Sequence, residues 1–139
     1  MEKVQLMHLE LRSSLFYSKI EDLPSEIHEN EEFLVLYEID SGQSRNIEPE
    51  KELFINSLIF TGKKAKKAGD LSDELLLPAG SYVFVQHRGA MLRREEWLEM
   101  AIELQKDCLW ERYKPGKLLY IRFLFEDGKP VTQLFRPCA

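Results

Sequence analysis

The chain has 139 residues, 44% of them hydrophobic and 31% charged, with a formal charge of −5. That length suits one domain with its own core, and the balance excludes a disordered chain and a membrane-spanning one. The acidic surplus argues against direct nucleic-acid binding, which needs a basic face. Two cysteines, Cys108 and Cys138, make no disulfide framework. No apolar run approaches the roughly 18 residues of a membrane span, and the N-terminus lacks a signal-peptide core. The expected location is the cytoplasm, with no membrane contact.

In chain order, Leu9–Tyr17 is a predicted strand. Asp22–Glu32 is the place for a helix, but Pro24 and poor apolar spacing predict a turn or two at most. Phe33–Ile39 and Leu53–Phe60 are predicted strands, with Asp40–Ser44 beginning their connection. Thr61–Leu77, carrying Lys63, Lys64, Lys66 and Lys67, reads as a solvated loop that links two halves; it has no P-loop spacing.

The second half is clearer. Pro78-Ala79-Gly80 predicts a turn with positive φ at Gly80, before a strand at Ser81–His87. Arg93–Trp110 is a predicted helix with an apolar stripe of Trp97, Ala101, Leu104 and Cys108, widened by Leu98, Ile102 and Leu109. Two strands, Lys117–Phe125 and Val131–Phe135, flank the hairpin signal Asp127-Gly128. Leu119, Ile121, Phe123 and Phe125 share one face of the first strand, and Leu118, Tyr120, Arg122 and Leu124 share the other. A strand apolar on both faces is covered on both sides or lines a cavity. The helix is expected on the more uniformly apolar face. The second half thus reads strand–helix–strand–strand, and the first half reads as a degraded copy of the same elements without sequence identity.

The bland readings take most other residues. His8, His28 and His87 are isolated, so no metal is expected and no cofactor is implied. Cys108 reads as a buried thiol and Trp97 as core, while Trp110 falls at the helix end, where a tryptophan packs with its N–H bonded. Glu95, Glu96, Glu99 and Glu103 read as a solvated face rather than paired catalytic carboxylates, and no catalytic residue is assigned.

The run Leu77-Pro-Ala-Gly-Ser-Tyr82, a strand ending in His87-Arg-Gly89, the helix and the terminal hairpin resemble the GyrI-like effector-binding domains. These form the C-terminal part of many MerR- and AraC-type multidrug-responsive regulators and also occur alone. The match runs from about Leu77 to Pro137, under half the chain. The resemblance implies an α+β fold of two strand–helix–strand–strand modules, residues 1–62 and 78–139. Their strands form a concave, mostly antiparallel sheet with helices on the outer face, the first module being degraded. It implies a cleft for bulky apolar molecules, often cations, with aromatic walls and an acidic residue near the last strand. Aligned on Thr132–Pro137, the usual glutamate falls at Gln133, an amide that cannot offset a buried cation.

The expected ligand-binding residues are therefore Tyr120, Arg122, Gln133, Tyr82, Phe84 and Tyr37. Arg122, if it faces the cleft, favours a neutral or anionic ligand. No helix-turn-helix is read in the chain, so the expected partner beyond the ligand is a separate DNA-binding or gyrase-type protein, or a second copy. The alternatives are a ligand-free interaction module, marked by apolar residues around Leu53–Phe60, and a small hydrolase. The hydrolase needs an inward carboxylate, for which Glu38 and Glu126 are the candidates.

Overall fold

One antiparallel sheet dominates the α+β structure. Its strands are β1 (Met7–Leu11), β2 (Leu15–Lys19), β3 (Glu32–Asp40), β4 (Phe54–Lys64), β5 (Glu74–Leu77), β6 (Gly80–Arg88), β7 (Leu118–Glu126) and β8 (Lys129–Pro137), in the order β1-β6-β8-β7-β3-β4-β2-β5. One helix, α1 (Arg94–Trp110), stands among the described residues. The structure is a computed structural model that describes the backbone of residues 7–11, 15–40, 54–64, 74–110 and 118–137, and the side chains of 15–39, 58–64, 77–105 and 118–137.

The strand order forces the sheet to roll up. β1 and β2 stand six places apart in it, as do β6 and β5. In a flat sheet six spacings measure about 29 Å. Yet Leu77 and Gly80 are three residues apart, and Leu11 and Leu15 four, a reach of at most roughly 11 and 14 Å. The pairing register agrees. Leu11 lies opposite Gly80 in β1–β6, and Leu15 opposite Leu77 in β2–β5. Residues 7–11 and 15–18 therefore run antiparallel beside 80–84 and 74–77, and the sheet rolls round on itself in the manner of a barrel.

The rolled sheet has two apolar layers. On the inner face Tyr17, Leu34, Leu36, Phe60, Leu77, Tyr82, Phe84, Tyr120 and Phe135 form one cluster, drawn from seven strands. On the opposite face Phe33, Val35, Val83, Val85, Leu119, Ile121, Phe123 and Leu134 pack with Trp97, Met100, Ala101 and Leu104 of α1. This is the face of β7 that the sequence assigns to the helix. The buried side of α1 is turned slightly from the expected stripe. Met100 and Gln105 join it, and Gln105 accepts a hydrogen bond from the buried Arg136 (3.0 Å). The side chains of Cys108, Leu109 and Trp110 lie outside the described residues. Thr132 pins the approach to the helix: its hydroxyl accepts from the Leu92 N–H (2.9 Å) and donates to the Ala90 carbonyl (3.0 Å).

Local chemistry sets the joints. Asp127 (φ 52°) and Gly128 (φ 76°) form the two-residue turn between Glu126 and Lys129, both in the left-handed region that a type I′ hairpin requires. Gly62 sits where a Cβ would come within 2.3 Å of the Phe60 ring and 2.8 Å of the Ser18 carbonyl oxygen, so only glycine lets that ring fold over the strand.

Residues 20–31 form bends and a turn without helix, inside the expectation of a turn or two at most, and Ile27 is buried there against the α1 face. Pro24 and the scarcity of apolar positions leave no stripe to pack. Two expectations change. The supposed loop Thr61–Leu77 instead contributes its first residues to β4 and its last to β5, because Leu34 and Val35 pair with Gly62 and Thr61 whatever the local composition; residues 65–73 lie outside the described residues, as do 41–44 of the Asp40–Ser44 connection. The single strand expected at Leu9–Tyr17 is two, β1 and β2.

Candidate functional site

In an antiparallel ladder, residues directly opposite each other share a face. The registers therefore stack the inner face in levels. One level runs Phe84, Phe135, Tyr120, Leu36, Phe60 across β6, β8, β7, β3 and β4. The next runs Gln86, Gln133, Arg122, Leu34, Gly62. The first is aromatic and apolar; the second is polar along half its length.

Rings interlock in the apolar level and just below it. Phe84 and Phe135 have centroids 5.6 Å apart, Tyr82 and Phe135 6.0 Å, and Tyr82 meets Tyr120 edge-on at 6.2 Å. The Tyr82 hydroxyl donates to the Pro78 carbonyl (2.6 Å), tying the β5–β6 corner to the rings. Tyr120 is only 4% exposed, and its hydroxyl has no hydrogen-bond partner among the described residues. Burial, with Tyr120 nearby, pushes the Tyr82 hydroxyl up to about 12, and burial raises Tyr120 as well.

The polar level carries a continuous chain. Arg122 grips Glu32 with two donors, Nε to Oε2 (2.8 Å) and Nη2 to Oε1 (3.1 Å). Its Nη1 reaches the Gln133 side-chain oxygen (3.3 Å), and Gln133 Nε2 donates to Gln86 Oε1 (3.0 Å). The Tyr17 hydroxyl donates to Glu32 Oε2 (2.5 Å), and Lys64 Nζ stands 3.8 Å from Glu32 Oε1. The ion pair is mostly out of water, at 16% and 11% side-chain exposure for Arg122 and Glu32. Burial pulls the guanidinium down, but its bonds to Glu32 outweigh that and hold it above its ordinary value. Such a fork is charge-assisted and orients both partners.

Tyr17 is pushed far up, first by burial and then by the Glu32 charge. Its folded value lies above the unfolded value of about 10, so the folded state keeps a proton that the unfolded state releases. This contribution to stability is complete below pH 10 and declines above it, by up to about 1.4 kcal/mol per pH unit for that one proton. Alkaline titration should show tyrosinate absorbance rising together with unfolding, and Tyr17→Phe should remove part of the decline.

The structure brings Tyr120, Arg122, Gln133, Tyr82 and Phe84 onto one face. It does not bring Tyr37 there. Odd-numbered residues of β3 turn to the helix, and Tyr37 packs on Trp97 at 5.4 Å. Glu38 is exposed, and Glu126 is bound to Arg88 (3.0 Å) in an exposed pair. The inward carboxylate is Glu32, which the sequence reading left at the end of the supposed helix. Its alternation with Leu34 and Leu36 was the available signal; Arg122, 90 residues away, was not. Both Glu32 oxygens are held by Arg122, one also by Tyr17, which suits a positioning role better than a general base. Among the described residues no three His, Cys, Asp or Glu side chains form a metal-holding group, and no helix is long and apolar enough to cross a membrane. No protein-family model and no curated protein sequence matches the chain.

Proposed function

We propose that this chain is a GyrI-like effector-binding domain, acting in the cytoplasm, that holds a small apolar or amphipathic molecule against the inner face of its rolled sheet. The strand pairing supports two modules. β1 and β2 with β3 and β4 make the first, and β5 and β6 with α1, β7 and β8 the second. The same connections recur in each: β2 pairs with β4 as β6 does with β8, and β3 with β4 as β7 does with β8. The halves meet where Phe33 lies opposite Phe123. In this reading α1 covers the outer face of the second module, and residues 20–31 replace the helix of the first.

The observation that carries the proposal is the polar row Gln86–Gln133–Arg122, buried at Gln133 and partly buried at Gln86 and Arg122, standing beside the Phe84–Phe135–Tyr120 level. A few convergent polar groups above an aromatic floor are what a small-molecule site requires. Binding would shift the population between two arrangements of the halves, read by a separate DNA-binding or gyrase-type protein.

A thermal-shift panel of hydrophobic cations, anions and neutral dyes tests this. At about a hundred times its Kd, a true ligand raises Tm by roughly 5 °C or more, and Gln133→Leu abolishes the rise. If no member stabilises the protein, the interaction-module reading replaces it. A specific observation favours that second reading: Leu58 and Ile59 of β4 are 55% and 48% exposed. Leu58 lies opposite Tyr37, on the face α1 covers elsewhere, and the register shift after Leu36 makes Ile59 an extra, unpaired residue.

A further inference from the structure

We propose that the inner-face site is selective for a monoanion, namely an amphipathic carboxylate whose head meets Arg122, Gln86 and Lys64. This rests on the reading of that face as a ligand site and assigns its chemistry.

The argument begins with the direction of the hydrogen-bond chain. Arginine can only donate. Because Arg122 Nη1 is bonded to Gln133, the amide oxygen of Gln133 must face it, and the Gln133 amide nitrogen must face away. That nitrogen donates to Gln86, so Gln86 turns its oxygen inward. The Gln86 NH2 is left at the end of the row with no acceptor among the described residues, half-exposed. One arginine thus polarises the whole row, and the row terminates in donors. Such an end accepts an anion and repels an ammonium.

The charge count agrees. Glu32 serves both Arg122 and Lys64. Among the described residues, the neighbouring ion pairs cancel, Lys63 with Glu31 (3.5 Å) and Arg88 with Glu126 (3.0 Å). Two cations therefore share one carboxylate, and one more negative charge completes the set. A ligand cation would instead meet Arg122 and Lys64 with only a carboxylate that is already engaged. The ligand's apolar tail would lie against the neighbouring level of Phe84, Phe135 and Tyr120.

Three probes with one tail separate the possibilities: 4-phenylbutyrate, 4-phenylbutan-1-ol and 4-phenylbutylamine, titrated calorimetrically into the wild-type protein. The carboxylate should bind at least about tenfold tighter than the alcohol, the worth of one charge-assisted hydrogen bond, and the amine weakest. Glu32→Gln should tighten phenylbutyrate about tenfold by freeing the Arg122 fork. Lys64→Gln, at an exposed position, should weaken it severalfold without loss of fold. Equal or tighter binding of the alcohol or the amine overturns anion selectivity while leaving a ligand site in place. Binding of none of the three overturns the site itself.

Discussion

Replacing Arg122 with methionine is expected to lower the unfolding free energy by about 3 kcal/mol in urea denaturation. Methionine keeps the length of the side chain but removes every donor. Glu32 then keeps the Tyr17 hydroxyl and a lysine 3.8 Å away, and stays largely out of water. An uncompensated buried charge is costlier than a missing ion pair. The double variant Glu32→Leu with Arg122→Met should therefore recover much of the loss, because both charges leave together and Leu34 and Leu124 offer apolar neighbours on the same face. The double-mutant cycle should show coupling of about 2 kcal/mol between the two positions. Coupling below about 0.5 kcal/mol would mean that the fork is solvent-screened and holds nothing. The same cycle reports on function: a pair that costs so little to delete together, yet so much to break singly, persists because it orients Gln133 and Gln86.

The parts of this molecule visible in the sequence are those decided within a few residues. Asp127-Gly128 specifies its hairpin because a type I′ turn needs two positive φ angles, and the turn then fixes the β7–β8 register by itself. Trp97, Ala101 and Leu104 specify a helix and its buried side. Leu119, Ile121 and Phe123 identify the face it packs on, so that Tyr120 and Arg122 follow onto the other by alternation alone. What depends on distant partners was hidden. The rolling-up of the sheet comes from β1 and β2 lying beside β6 and β5, and neither pair announces the other. β5 was lost inside a lysine-rich link, since its pairing with β2 rather than its composition makes it a strand. Glu32 ends the segment Asp22–Glu32 with nothing local to mark it; Arg122 and Tyr17, from two other strands, draw it inward. Tyr37 failed for the opposite reason. An aromatic residue on the right strand is one position out of phase with Leu36, and one position is the whole difference between the two faces.

Phe135→Ala is expected to be the costliest single truncation, at about 4 kcal/mol. Phe135 is fully buried at the middle of the inner level, between Phe84 and Tyr120 and against Tyr82. Its neighbours sit on the β-strands of a rolled sheet, whose backbone cannot move inward without breaking ladder hydrogen bonds, so the vacated space collapses little. The resulting void is lined by Tyr82, Phe84 and Tyr120 and stays apolar, which is the kind of cavity that admits benzene rather than water. Added benzene should therefore raise the midpoint of Phe135→Ala and leave the wild type unmoved, by mass action on the folded state. A loss below about 1.5 kcal/mol, or no response to benzene, would show that the rings slide together and that the level lacks the rigidity a ligand floor needs. The full loss with benzene rescue would instead establish that the strands, not the rings, define the space in which a ligand's tail must lie.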